Sequence, residues 1–307
     1  MPNALEVRDL TKQFGSVEAL RGVSFSVAPG EVFGYLGPNG AGKTTTLRIL
    51  LGLVRQGGGS AAIGGIPSGE PASRADIGFI PGDLRLYGDM TGAGALDFFA
   101  RFRPDRPPRL RPTLLDELDL DAATLARRIK FLSHGTRQKL GLIAAMQHDP
   151  ALLLLDEPTN GLDPLVQQAF RALVAGFAAR GRSVLFSSHV LSEVEAVCDR
   201  VAILRQGKIV ALETIGRLRE KVVRKMTVRF ADPLPGPLPG EREDLYRKLP
   251  GVTRCETRDG AMTLWVQGDL NPVLRALAAT QVEDVVFPEA QLEDIFLGYY
   301  QGEGADA

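Results

Sequence analysis

The chain has 307 residues, 44% apolar and 24% charged, with 36 basic against 37 acidic side chains and a net charge of −1. That is the balance of a globular protein with ample core material, in one large domain or two ordinary ones, and it argues against a protein that coats a polyanion such as nucleic acid. The longest aliphatic run, in ALLLLDEP, falls far short of the roughly 20 residues that cross a bilayer, and MPNALEVRDL carries no apolar signal core. The expectation is a cytoplasmic chain without direct membrane insertion.

Taken in order, Val17 to Leu36 alternates the β-type runs VSFSV and EVFGYL with the turn APGE, which reads as strands closing on a glycine-rich loop. KTTTLRILLGL (43–53) suits a helix and IGFI (77–80) a strand. Residues 92–147 read as mostly helical, interrupted by RPDRPPRLRP. Then follow strand ALLLL (151–155), a helix from Pro164, strand SVLFS (183–187), a helix to about Cys198, and strands RVAIL and KIVAL. Strands alternating with helices predict an α/β fold with a parallel sheet and a helical insertion.

Past TIGRLREKV the composition shifts. ADPLPGPLPGE (231–241) is rich in proline and glycine, a long loop or a linker. Around it come strand MTVRF, helix EDLYRKL, strands VTRCETR and AMTLWVQ, helix NPVLRALAAT, strand VEDVVF and helix QLEDIFLGYY. The order β-α-β-β-α-β with one further helix predicts a small ferredoxin-like α+β domain. No internal repeat is present. Cys198 and Cys255 lack metal-type spacing and read as packing residues of a reducing compartment.

GPNGAGKTT, Gly37 to Thr45, fits the phosphate-loop pattern G-x-x-x-x-G-K-[ST] through Gly37, Gly42, Lys43 and Thr44, and it sits between a strand and a helix as that pattern requires. Pro38, Asn39, Gly40, Ala41 and Thr45 complete the stretch. Glycines let backbone N–H groups converge on phosphate, and the helix N-terminus adds a positive dipole end. Lys43 would reach the β- and γ-phosphates and the Thr44 hydroxyl would ligate Mg²⁺. In LLLLDEP a buried strand delivers Asp156 to the metal, with Glu157 beside it to polarise an attacking water. SSH, Ser187 to His189, ends another apolar strand, and His189 is placed to touch a γ-phosphate. His134 and His148 have no partner acids at metal-ligand spacing.

LSHGTRQK (132–139) is a second small-residue turn at the start of a helix, and by itself it reads as a cap formed by Ser133. Together these pieces resemble the ATP-binding cassette (ABC) family over residues 4–222: GPNGAGKTT its Walker A, LLLLDEPTNGLDP its Walker B and D-loop, SSH its switch histidine, and LSHGTRQKL its LSGGQ signature. The resemblance implies ATP and Mg²⁺ as cofactors, a cassette domain over 1–222 with a helical insertion at about 90–147, and an accessory domain over 223–307. It implies a head-to-tail homodimer in which Ser133, His134, Gly135 and Thr136 of one chain close over the phosphate site of the other. Phe14 in TKQFG matches the aromatic that stacks on adenine, and Asp163 the D-loop acid that communicates across the dimer. A separate integral membrane permease is implied, with the cassette peripheral on the inner face of the cell membrane.

Two features depart from the family pattern, at three positions. His134 and Thr136 stand where LSGGQ has Gly and Gln, and Gly82 in IGFIPGD stands where a metal-ligating Gln is usual, with Asp83 as a substitute or a water in its place. The tail ending in LEDIFLGYY is similar to that of daunorubicin-resistance-type exporter ATPases, which implies drug or lipophilic-compound efflux. Leu292, Ile295, Phe296 and Tyr299 share one helical face there. Phe98, Phe99 and Phe102 in LDFFARF either face the permease or pack the helical insertion. The rival readings are a soluble cassette ATPase acting on ribosomes or nucleic acid, which usually has two cassettes or a long coiled coil, and a phosphate-loop kinase, against which the signature and the Asp-Glu pair argue.

Overall fold

The computed structural model describes residues 2–160, 162–221, 223–231, 239–258 and 260–288. The expected C-terminal helix QLEDIFLGYY lies outside the described residues. In chain order the strands are β1 (Leu5–Phe14), β2 (Val17–Val27), β3 (Val32–Leu36), β4 (Gly58–Ile63), β5 (Ile66–Pro67), β6 (Ile77–Ile80), β7 (Leu152–Asp156), β8 (Ser183–Ser188), β9 (Arg200–Arg205), β10 (Lys208–Thr214), β11 (Val223–Phe230), β12 (Val252–Arg258), β13 (Ala261–Gln267) and β14 (Val282–Val286). The helices are α1 (Lys43–Leu50), α2 (Gly92–Arg101), α3 (Arg111–Glu117), α4 (Ala122–Ala126), α5 (His134–Met146), α6 (Pro164–Ala179), α7 (Leu191–Val197), α8 (Ile215–Lys221), α9 (Pro239–Arg247) and α10 (Asn271–Ala278). They group into two compact units, residues 1–213 and 214–307.

The first unit is built on a six-stranded sheet in the order β10-β9-β3-β8-β7-β6, with β9, β3, β8, β7 and β6 parallel. Every residue of β3 (VFGYL), β7 (LLLLD) and β8 (SVLFSS) is buried. Such near-continuous apolar runs belong to central strands covered on both faces. The register sets Leu36 beside Ser188 and Ser187 beside Asp156. Three chemistry-bearing strand ends thus lie next to one another at the carboxyl edge of the sheet, where open parallel sheets bind ligands.

A second sheet in the order β2-β1-β4-β5 is antiparallel. The parallel sheet expected from the alternation of strands and helices is present, but it accounts for only part of the strands. The antiparallel layer packs Leu5, Val7, Leu10, Val23 and Phe25 into the same buried cluster as Phe33 and Tyr35 of β3. Phe25 stacks on both rings, with centroids 5.3 and 5.1 Å apart. Helix α1 ends earlier than its apolar pattern suggests, because Gly52 turns left-handed at φ 67° and its N–H bonds back to Ile49. Helices α2 to α5 occupy the chain between β6 and β7, where the sequence predicts a helical insertion.

The second unit opens with α8, which falls inside the 1–222 span expected for the first domain, then runs β11-α9-β12-β13-α10-β14 and folds its strands into an antiparallel sheet of order β12-β13-β11-β14. Met226, Val228, Phe230, Tyr246, Cys255, Met262, Leu264, Val266, Val273 and Leu277 make its core. Cys198 and Cys255 are free and buried.

Candidate active site

The chain leaves β3 at Leu36 and wraps through Gly37–Gly42 into α1. Gly42 holds φ 113°, and a Cβ there would lie 2.7 Å from the Ala19 carbonyl oxygen, so only glycine fits the turn. The Lys43 side chain is 5% exposed, and its ammonium donates to the carbonyls of Gly37 (2.6 Å) and Pro38 (3.2 Å). The same Nζ lies 3.2 Å from Glu157 Oε1. Behind it the Thr46 hydroxyl bonds to the Gly42 carbonyl at 3.1 Å and pairs with the Tyr35 hydroxyl at 3.1 Å, while burial pushes the Tyr35 phenol well above its ordinary value. The loop is therefore braced from the core side as well as from within.

Glu157 follows β7 in a left-handed conformation, φ 48°, which a non-glycine residue adopts only where its surroundings hold it. Its N–H donates to the Ser187 carbonyl at 3.1 Å. One carboxylate oxygen meets Lys43 and the other accepts from His189 Nδ1 at 2.7 Å. Asp156 is 5% exposed, and its Oδ1 accepts from the Ser187 hydroxyl at 2.7 Å. Ser188 Oγ donates to Glu193 at 2.6 Å and accepts from the Val190 N–H at 2.9 Å, which fixes the turn that presents His189.

Asn39, Thr44 and Glu157 line two clefts, one of about 340 Å³ with Val17, Lys43 and Thr45, the other of about 610 Å³ with Gly82, Asp83 and Asp156. A Cβ on Gly82 would stand 3.3 Å from the Asp156 carbonyl oxygen. Asp83 is turned to an exposed ion pair with Arg85 at 2.7 Å.

The turn at Ser133 lines neither cleft. Ser133 caps α5: its Oγ accepts from the Thr136 N–H at 3.1 Å and pairs with the Thr136 hydroxyl at 2.8 Å. His134 Nε2 lies 3.3 Å from the Asn160 carbonyl oxygen, and Gln138 donates to that of Pro158 at 2.8 Å, so the helix is tied to the segment after β7. Gly135 has open space where a side chain would stand. Asp163 caps α6 by accepting from the Val166 N–H at 3.0 Å.

Phe14 is 48% exposed at the end of the β1–β2 hairpin, opposite Val17, with the Lys12 ammonium 4.8 Å from its ring centre. Phe98 packs edge-on against Phe99, Phe102 and Tyr87 at 5.0 to 5.5 Å. Ser187 and Ser188 were legible only as the first letters of SSH. Their hydroxyls turn out to orient Asp156 and the His189 turn, and two serines ending an apolar strand are the signal that could have found them.

A family model described as ABC transporter matches residues 20–160. Nod factor export ATP-binding protein I of Paraburkholderia xenovorans (strain LB400) is 34% identical over 303 residues, 97% of this chain and 97% of its own. The chain belongs to the ABC transporter family. It is an ATP-binding, ATP-hydrolysing cassette. Linearmycin resistance ATP-binding protein LnrL of Bacillus subtilis (strain 168) is 33% identical over 68% of this chain and 69% of its own length. Among solved structures, an ATP-binding subunit of an ABC transporter superposes with a TM-score of 0.66 at 32% identity, over 70% of this chain and 92% of that one. A dimeric cassette described as a post-hydrolysis state bound to ADP and Pi shares the fold, with a TM-score of 0.62 at 22% identity over 69% of this chain and 98% of that one.

Proposed function

We propose that this cassette is the ATP-hydrolysing subunit of an exporter, working as a head-to-tail homodimer on a separate integral membrane permease and moving a drug or other lipophilic compound. The chain would then be cytoplasmic and held at the inner face of the membrane by that permease. Among the described residues no helix is long and apolar enough to cross a membrane. Export is supported by the printed functions of the Nod factor and linearmycin relatives.

The observation that carries the mechanism is the chain of contacts Lys43–Glu157–His189 at the ends of three neighbouring elements. Lys43, held by loop carbonyls, is poised to exchange them for β- and γ-phosphate oxygens, which are stronger acceptors. Backbone N–H groups of residues 37–45 cradle the phosphates. Glu157 polarises the attacking water, and His189 orients that carboxylate and meets the γ-phosphate. Phe14 offers its exposed ring to adenine. Mg²⁺ fits the oxygen-only donor set of Thr44 and Asp156, whose Oδ1 is oriented by Ser187, because this ion takes one or two protein ligands and completes its shell with phosphate and water. When bound it neutralises charge on the phosphate oxygens.

Ser133 and the Gly135 N–H lie at the N-terminus of a 13-residue helix, outside both clefts of their own chain. In the dimer they take the partner's γ-phosphate, with His134 and Thr136 beside them, and Asp163 carries the contact between the two sites. The strand order of the second unit supports reading it as a ferredoxin-like accessory domain.

The test is the solution mass of Glu157→Gln with and without Mg-ATP. An ATP-dependent monomer-to-dimer shift is expected, since binding survives and turnover is blocked. A protein that stays monomeric with saturating ATP, alone and with its permease, overturns the dimer reading.

A further inference from the structure

Two residues, Gln206 and Gly207, join β9 to its neighbour β10, with φ of 48° and 77°. Two left-handed residues in succession are the mark of a type I′ connection, whose first position suits Asn, Asp or Gly. Glutamine is a poor turn former there, and its backbone carries a strain that glycine would avoid. Among the residues that line the cleft of about 340 Å³, the non-glycine residues with positive φ are Glu157 and Gln206. Side chains held this way gather at ligand sites.

The turn is fixed between the phosphate loop and β2. The Gly207 N–H donates to the Ala41 carbonyl at 3.0 Å, and the Gly207 carbonyl accepts from the Arg21 N–H at 2.8 Å. A Cβ on Gly207 would lie 2.9 Å from the Ala19 carbonyl oxygen, the same atom that forbids one on Gly42. Away from the phosphate loop and Glu157, the cleft is lined by Val17, Glu18, Ala19, Arg21 and Gln206. Val17 is the cross-strand partner of Phe14, which marks the adenine end. In ATP the ribose stands between the base and the phosphates, and a turn bonded to the phosphate loop and to β2 stands at that point of the cleft. Val17 is apolar there, and Glu18 and Arg21 pair with each other at 3.2 Å. Gln206 is exposed, and its amide has no hydrogen-bond partner among the described residues. A neutral amide both donates and accepts, as a sugar hydroxyl does.

We propose that Gln206 is a specificity-determining residue that reads the sugar: its amide holds a ribose hydroxyl and makes the cassette select ribonucleotides over deoxyribonucleotides. The fixed turn aims the side chain, and the left-handed backbone is the cost of that aim. The assignment rests on the reading of this cleft as the nucleotide site, with Phe14 at its adenine end.

The test is calorimetric titration of the full-length protein with ADP, 2′-deoxyADP and 3′-deoxyADP, which are not turned over. The parent should bind ADP about 3- to 10-fold more tightly than at least one deoxy form, the scale of one partly exposed hydrogen bond. Gln206→Gly keeps the turn without strain, and Gln206→Met keeps the length without the amide. Both should lose that preference by weakening ADP while leaving the deoxy form unchanged. A preference that survives in both variants, or is absent from the parent, overturns the proposal. A change in the preference for ADP over inosine diphosphate, with the sugar preference kept, overturns it in favour of the base edge. Lys43→Ala should weaken all three nucleotides alike. Undiminished binding in that variant overturns the cleft reading and the ribose assignment with it, an outcome distinct from loss of the sugar preference alone.

Discussion

Glu157 Oε2 and His189 Nδ1 are 2.7 Å apart across the ends of β7 and β8, while the other oxygen of the same carboxylate lies 3.2 Å from Lys43 Nζ. An ionised carboxylate accepts from both, so the imidazole carries its proton on Nδ1 and leaves Nε2 for a ligand. His189→Ala should therefore lower kcat by about 10²-fold or more, the usual scale for a positioned acid-base group, and leave nucleotide affinity within about threefold. Steady-state turnover with a parallel nucleotide-binding titration checks this. Turnover within a few-fold of the parent protein would mean that the bond is a resting contact only.

Lys43 is buried among two carbonyls and a carboxylate. Its replacement removes a buried cation at the phosphate loop. Lys43→Ala should weaken ATP binding by about 10- to 100-fold, the range for losing a charge-assisted hydrogen bond. Undiminished binding in a fluorescent-nucleotide titration would sink the phosphate-loop assignment.

Gly82 packs against the strand end that carries Asp156, and a Cβ there would press on the Asp156 carbonyl oxygen at 3.3 Å. Gly82→Gln thus requires a shift of a few tenths of an ångström at the edge of the cleft lined by Thr44 and Asp156. ATP affinity is expected to stay within about threefold, because the phosphate loop is untouched. A lower Mg²⁺ requirement or faster turnover in a magnesium titration would show that the missing amide is a real deficit. No change in either would show that water fills the place of the amide without loss.

Most of the first unit was legible because its strands are apolar runs of ordinary length between turn signals, and β6, IGFI, falls where its letters place it. β1 was not. Leu5 and Val7 pair with Val27 and Phe25, but a bulge at Arg8 and Asp9, the latter at φ 45°, shifts Leu10 onto Val23 and breaks the alternation. Interrupted by charge, LEVRDLTKQF no longer reads with period two. The motifs gave Lys43, Asp156, Glu157 and His189 as separate letters. That Glu157 joins Lys43 to His189 depends on the neighbouring order of β3, β8 and β7, which no spacing along the chain encodes. The inward hydroxyls of Ser187 and Tyr35 were hidden for the same reason.

His148, read from the sequence as a histidine without a metal partner, is buried where α5 returns to the core. Its Nε2 lies 3.3 Å from the Ile77 carbonyl oxygen, which also accepts from Arg103 at 2.6 Å. Burial and then the neighbouring Arg103 push its pKa down to about 4 from the ordinary 6.5, against the opposing pull of that carbonyl and Asp76, with a smaller push from Arg106. The folded protein therefore refuses a proton that the unfolded chain accepts. Stability from this residue is complete above pH 6.5, declines as the pH falls, and is lost by about pH 4. At 1.36 kcal/mol per unit the upper bound is about 3 kcal/mol, and partial contact with solvent brings the expectation to roughly 1–2 kcal/mol. His148→Gln keeps a donor for the Ile77 carbonyl and cannot titrate. Carboxylates also titrate in this window, so the decisive quantity is the difference between the two proteins. Between pH 7 and 4.5 the melting temperature of the parent should fall further than that of His148→Gln by about 2–6 °C. Parallel melting curves across that range would mean that the imidazole is not held neutral by its surroundings.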